Sequence, residues 1–582
     1  MIAKPFEPTE EQQRVIDHAG SAFIAACPGA GKTRVMVERA RKLLGDKLRG
    51  RGIAFLSFTV AAVSELEDRL RRERLLGTPA FPHFIGTFDT FLWQFLIAPF
   101  GIDGCAARPR LIPDKDDCPI QPFSAAQALP LECFDRVTGM AIPARVQRQK
   151  FRGKSIKAHE AAAQSTRARF LERGELDFAE ARAVALARLR GPVCGAVLGP
   201  AFAARFQELI VDEAQDCNPI DLEIITWFRA AGVPVKVICD ANQAIYGFRG
   251  GVTRELQQFA QTFREDERLP MKGNFRSSSH ITKGIVALRA PNLRAVVDEA
   301  MGEHREEPAA VQILSYCGKG VPSTIGAKFN SLTTAMGLDA RDCPVVSATR
   351  QASANALGYS QDAGIHDLSF RLAVAVSDFH FSFEVGGRKD ALISFHRIML
   401  ELGGLLARKT YHQYLADGAA APDAWRPEAL ALAQALRFTP ERFATAEAWH
   451  DEARRLLAPL LPANGQSINQ RLRRNGDLAT ALSVVPAAGH RARTIHSVKG
   501  MEFPAICVVM SPTTAKSIID FLAGCVAGDN EKAQKVEEEA RKIYVGASRA
   551  QRLLAIALPR TQAPRLRDLM AEMGGAVDVV AL

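Results

Sequence analysis

The sequence predicts an α/β fold of two parallel-sheet blocks, each interrupted by a mostly helical insertion. Three observations carry this. Residues 1–95 alternate short apolar runs, "AFIAA" and "GIAFLSF", with helical periodicity, the pattern of a parallel sheet flanked by helices. Strand signals return far downstream at "ELIVDEAQD" and "VKVICDANQ". A second set, "VQILSY" and "PVVSATR", resumes at "AICVVM" and "LLAIAL".

The elements follow in chain order. Residues 1–95 open the first sheet and 196–285 complete it. Between them, 96–195 is a Pro- and Cys-punctuated loop followed by an Ala- and Arg-rich helical stretch, which reads as an insertion. Residues 286–375 begin the second block and 485–582 finish it, with a helical insertion over 376–484. A chain of 582 residues is too long for one core, and at about 150 residues per domain it accommodates this plan.

Composition narrows the function classes. Hydrophobic residues make up 47% of the chain, as in a globular protein. No run of about 18 apolar residues offers a membrane span, and "MIAKPFEPTEEQQ" turns polar at once, so a cytoplasmic protein without a secretory signal is expected. The net charge of +10 comes from 74 Lys and Arg against 64 Asp and Glu spread along the chain, a weak pointer to a polyanionic partner. The eleven cysteines include no CxxC pair, and Cys105, Cys118, Cys133 and Cys194 are irregularly spaced, so reduced thiols rather than a metal cluster are expected.

The chemistry begins at "ACPGAGKT". A strand, a Gly-rich turn and a helix opening on Gly31, Lys32 and Thr33 present backbone N–H groups to a phosphate at a helix N-terminus, with Lys32 reaching the β and γ phosphates and Thr33 ligating Mg²⁺. Ala26 stands where the strict P-loop pattern has Gly. The candidate nucleotide-binding segment is Ala26, Cys27, Pro28, Gly29, Ala30, Gly31, Lys32, Thr33 and Arg34. Its companion is "LIVDEAQD", an apolar strand delivering Asp212 to hold Mg²⁺ through water and Glu213 to polarise the attacking water as general base. Together they predict an ATPase.

With "VDEAQD", the ordered segments "ICDANQAIYGFRGG", "GNFRSS", "TIHSVKGMEF" and "YVGASRA" resemble the UvrD/Rep/PcrA-like superfamily 1 DNA helicases over Gln12 to Ala550, nearly the whole chain. The resemblance implies two RecA-like P-loop NTPase domains, ATP and Mg²⁺ as cofactors, and single-stranded DNA and single/double-strand junctions as partners. It implies adenine reading by Gln12, covering of the adenine by Phe275 in place of the family tyrosine, and γ-phosphate sensing by Gln243. Arg276 and Arg549 match γ-phosphate arginines, with Arg549 expected after a strand of the second sheet and facing Lys32. Gly500 is expected at a close backbone approach and Glu502 near the ribose. For DNA, the resemblance implies Phe58, Thr59, Thr87, Phe88, Tyr246, Phe248, Arg249, His496 and Lys499.

The chain departs from the family pattern at Val60 and Ala61, where Asn-Lys is usual, and at Asp89, where His is usual; Ser57, Val498 and Ser548 are milder changes. Travel along one strand with 3′–5′ polarity is the implied activity, in repair, replication or phage defence. The short second insertion suggests translocation or protein displacement more than efficient unwinding alone. A DNA-sensing ATPase subunit regulating a partner nuclease is the alternative. A small-molecule phosphotransferase would show no response to single-stranded DNA.

Overall fold

The computed structural model describes residues 6–45, 50–153, 155–243, 253–358, 367–385, 388–406, 409–417, 422–439, 441–463, 465–475, 478–482, 489–525 and 531–582. Tyr246, Phe248 and Arg249 lie outside the described residues. Among the described residues no helix is long and apolar enough to cross a membrane.

The chain divides into two compact units. The first comprises Met1–Phe91, Leu186–Ser360 and Val485–Leu582; the second comprises Leu92–Ala185 and Gln361–Val484.

The first unit holds both sheets. In one, the strands are β1 (Ala22–Ala26), β2 (Gly52–Ser57), β3 (Phe84–Thr87), β4 (Phe206–Val211), β5 (Val235–Cys239) and β6 (Arg268–Met271), in the spatial order β6-β1-β5-β4-β2-β3. In the other they are β7 (Val311–Tyr316), β8 (Val345–Ser347), β9 (Ala492–Thr494), β10 (Phe503–Val509), β11 (Ala550–Pro559) and β12 (Val577–Ala581), ordered β9-β8-β10-β11-β7-β12. Every pairing in both sheets is parallel. Strands β2, β4, β5 and β7 are buried at every position, which is why they read as continuous apolar runs and not as alternation.

Parallel pairing decides where the chemistry lies. All six carboxyl ends of the first sheet fall on one edge, so the segments after β1, β2, β3, β4, β5 and β6 share that edge although the ends of β1 (Ala26) and β6 (Met271) are 245 residues apart in sequence. Two helices frame the first of these. Helix α1 (Glu10–Asp17) starts with a reciprocal capping box between Thr9 and Gln12, and α2 (Lys32–Gly45) starts directly from the phosphate-loop sequence.

The second unit is mainly helical, with helices Lys157–Glu172, Leu368–Val385, Arg388–Leu402, Pro422–Ala435 and Ala446–Leu457 among its longer ones. Its first segment also carries two small two-stranded pairings, Arg110–Leu111 with Glu175–Leu176 and Pro119–Ile120 with Leu129–Pro130, elements too short to signal in sequence. Trp449, fully buried, anchors the larger core and donates Nε1–H to Leu436 O at 2.7 Å. The two segments meet through ions: Arg110 donates to Ala416 O at 2.9 Å, and Asp114 lies 3.0 Å from His412 Nδ1 and 3.6 Å from Arg397.

Candidate functional site

The loop between β1 and α2 requires glycine at two positions. Gly29 and Gly31 have φ of +69° and +74°, and a Cβ on Gly29 would sit 2.6 Å from both Arg276 Cβ and Asn274 Oδ1. The loop backbone is also tied to the chain after β6. Cys27 N–H donates to Met271 O and Phe275 N–H donates to Gly29 O, both at 2.9 Å. Gln12 is buried against this loop, donating Nε2–H to Ala30 O at 3.0 Å while its Oε1 accepts from Thr9 N at 3.1 Å. The amide has two N–H donors and two oxygen lone pairs, and these bonds to protein take one of each.

Lys32 and Thr33 open α2, where the first-turn N–H groups have no helical acceptor. Lys32 Nζ lies 2.9 Å from Glu213 Oε1. Burial opposes the lysine charge, but Glu213, Asp212 and Asp240 outweigh it and hold the ammonium form above its ordinary range. Arg34 lies 3.3 Å from Glu38 and 3.4 Å from Glu73, with its guanidinium 4.9 Å from the centre of the Phe6 ring.

Asp212 and Glu213 leave β4 with different surroundings. Asp212 is buried, its N–H donates to Leu56 O at 2.8 Å, and its Oδ1 has no hydrogen-bond partner. Burial, then the Glu213 charge, raises its pKa. Glu213 is also disfavoured as an anion by burial, yet Lys32 and Lys499 pull its pKa below the usual carboxylate value. Its backbone is left-handed, φ 55° and ψ 38°, a conformation costing a non-glycine residue about 1–2 kcal/mol.

These residues fit a divalent cation. Asp212 keeps a buried carboxylate oxygen without a hydrogen-bond partner, and Thr33 opens α2 with a hydroxyl, both hard-oxygen donors. Among the described residues no group of three or more His, Cys, Asp or Glu side chains forms a metal cage of its own. Mg²⁺ in nucleotide sites generally takes only one or two protein ligands and completes its shell with phosphate and water.

From Glu213 a hydrogen-bonded chain runs to the second sheet. Gln215 donates Nε2–H to Glu213 and accepts Asp240 N–H at 3.0 Å. Gln243 donates to Asp240 Oδ2 at 2.8 Å and accepts from Arg549 Nη2. Arg549 is buried, with Nε donating to Val545 O at 3.1 Å, and its pKa falls to about 10 through burial and then the nearby Arg276. It follows a helix, α3 (Glu531–Ala547), and directly precedes β11, which corrects the expectation that it follows a strand. Its hydrogen-bonded partner across the cleft is Gln243, and Lys32 pairs with Glu213 instead.

Arg276 reaches the same place from β6. It donates to Ser548 O at 2.8 Å and pairs with Glu502 at 2.6 Å, so Glu502 is an ion-pair partner of Arg276. Burial raises the Glu502 pKa and Arg276 more than reverses this. Phe275 is half-buried beside the loop. Gly500 has φ +82° with nothing within 4 Å of where a Cβ would stand, so backbone conformation and not close approach calls for glycine.

The nucleic-acid candidates separate. Phe58 is half-buried and stacks on Phe88 at 5.4 Å and 15°. Phe88 is 1% exposed, which makes it a core residue backing Phe58 and not a surface for a base. Thr59 caps the helix Val60–Arg72, accepting Ala62 N–H at 3.3 Å, and Thr87 accepts Thr90 N–H at 3.1 Å. His496 is half-buried, its pKa lowered first by burial. The Lys499 side chain is 6% exposed and pairs with Asp216 at 2.6 Å.

Residues 8–264 match the UvrD/REP helicase N-terminal domain, and residues 492–561 match the UvrD-like helicase C-terminal domain, together a little over half of the chain. The chain belongs to the UvrD/Rep-type superfamily 1 helicases. It is 24% identical over 304 residues to DNA helicase II of Haemophilus influenzae, a match covering 49% of this chain and 40% of the relative. Against DNA helicase II of Escherichia coli the figures are 25% over 292 residues, 48% and 39%. The chain thus spans about two fifths of the length of these curated relatives. The ATP-dependent DNA helicase UvrD2 of Mycobacterium bovis is 25% identical over 610 residues, covering 95% of this chain and 79% of the relative.

In this UvrD-like chain, sequence reasoning passed over Asn274, Gln215, Asp216 and Asp240. Asn274 Oδ1 accepts the N–H groups of Arg276 and Ser277 at 2.9 and 3.1 Å, shaping the turn that presents Arg276. Polar residues flanking "FR", and the second half of "DEAQD", were the available signal.

Proposed function

We propose that the protein is an ATP-dependent single-stranded DNA translocase and 3′–5′ DNA helicase of the cytoplasm. It would act at single/double-strand junctions in DNA repair, replication or phage defence. The observation that supports this best is the chain Lys32–Glu213–Gln215–Asp240–Gln243–Arg549, which joins a phosphate loop on one sheet to a buried arginine on the other.

In this reading Lys32 exchanges Glu213 for the β and γ phosphates when ATP binds. Thr33 and Asp212 would hold Mg²⁺, which when bound offsets charge on the phosphate oxygens. Glu213, released from Lys32, accepts the proton of the attacking water. Gln243 senses the γ-phosphate, and Arg276 and Arg549 stabilise charge on the transferring group. Gln12 reads the adenine and Phe275 covers it, Arg34 closes the nucleotide-binding segment, and Glu502 lies near the ribose. Closing the two sheets on ATP and reopening them after hydrolysis alternates the grip on stacked bases, each worth about 1–3 kcal/mol, small enough to break once per cycle.

Hydrolysis of ATP titrated with single-stranded DNA tests the reading, with Lys32→Ala as control. DNA-stimulated hydrolysis and separation of a 3′-tailed duplex support it. Stimulated hydrolysis without strand separation moves the assignment to a DNA-sensing subunit that needs a nuclease or other protein partner. Hydrolysis indifferent to DNA overturns it.

A further inference from the structure

Glu213 holds a backbone conformation that an L-residue adopts only when its surroundings enforce it. It is the residue before a one-turn 3₁₀ segment, Ala214–Asp216, closed by Asp216 N–H to Glu213 O at 3.0 Å. One end of this turn is fixed by Gln215, which bonds both Glu213 and Asp240 N–H within the first sheet. The other end is fixed from outside that sheet. Lys499 Nζ reaches both carboxylate oxygens of Asp216, at 2.7 and 2.6 Å, with side chains only 6% and 1% exposed. Lys499 stands at the end of the turn Ile495–Val498, which follows β9 in the second sheet.

We infer that Lys499 and Asp216 are positioning residues that make the posture of Glu213 depend on engagement of the second sheet. Drawing Lys499 away takes two charge-assisted bonds off the buried Asp216 carboxylate, and the turn loses the anchor that comes from the second sheet. Rearrangement lets Glu213 leave its left-handed conformation and takes its carboxylate off the water-activating position. The segment that carries His496 and Lys499 thereby governs the general base through the backbone, without touching nucleotide. This rests on the ATPase reading above.

The test compares Lys499→Met, Asp216→Asn, the double variant and Lys499→Arg, measuring kcat for ATP, the affinity of a fluorescent ATP analogue, the single-stranded DNA concentration giving half-maximal stimulation, and the melting temperature. The two single variants should each lower DNA-stimulated kcat at least about tenfold and alike, with analogue affinity within about threefold of wild type. The double variant should be no slower than either single one, and Lys499→Arg should recover most of the rate. If Lys499→Met alone is affected, and only in the DNA concentration required, Lys499 is a strand contact and the inference fails. Wild-type kcat in both single variants also overturns it. Were wild type itself unresponsive to DNA, the functional reading and not this pairing would be at fault, and the kcat comparison without DNA would still decide the pairing.

Discussion

At Gly29 two independent constraints coincide, a positive φ and contact with the segment carrying Arg276. Gly29→Ala should therefore abolish ATP hydrolysis and lower the melting temperature, because the methyl group can be placed only by displacing Asn274 and Arg276; retained hydrolysis with normal stability would contradict the packing. At Arg549, replacement by alanine should reduce kcat by on the order of 10³ while nucleotide affinity stays near wild type, and Arg549→Lys should recover little, since one ammonium cannot reproduce the guanidinium fork. Single-turnover hydrolysis beside a nucleotide titration separates the two effects. Lys32, Asp212 and Glu213 stand out in sequence because phosphate chemistry calls for those types beside a strand end, and the structure brings Lys32 within 2.9 Å of Glu213. Phe88 was not, since an aromatic next to a threonine reads the same whether it faces a base or, as here, the core. The ion pair of Lys499 was not legible for a related reason: its partner Asp216 is 283 residues away in sequence.

Among the elements, the helix Ala446–Leu457 gives a measurable case. Trp449 fills the core of the second unit and satisfies Leu436 O, so Trp449→Ala should cost about 3–5 kcal/mol in denaturant unfolding, more than a surface substitution on the same helix by several-fold. On the neighbouring helix Arg388–Leu402, His396 is buried, 3.0 Å from Tyr411 OH and stacked 3.8 Å from Trp425. Burial takes its pKa from 6.5 to about 4. The unfolded chain therefore binds the proton first, so the stability due to this group is present above pH 6.5 and lost as pH falls toward 4. The melting temperature of wild type should decline more steeply over that window than that of His396→Gln; equal slopes would show the imidazole is not kept neutral by its packing. The long apolar strands were legible from composition alone, because a sheet covered on both faces needs apolar residues at every position. The two-residue pairings of the first insertion were not, since segments that short owe their existence to the chain around them.

For the molecule as a whole, two segments distant in sequence form one helical unit, an arrangement visible in sequence only as two interruptions. Under the proposed function, binding to single-stranded DNA should weaken with salt, log affinity falling by about 0.7 per phosphate contacted for each decade of ionic strength. With the net charge of +10 spread along the chain, a salt-independent affinity would count against phosphate contacts as the source of binding. One last consequence follows from the bond between Phe275 N–H and Gly29 O. It is a strut made of peptide groups alone, so under the proposed function the push of a phosphate on the loop would reach Phe275, the proposed adenine cover, with no side chain as intermediary. Alanine scanning would pass over it silently; an ester linkage in place of the amide at 275 would slacken it while leaving every side chain intact.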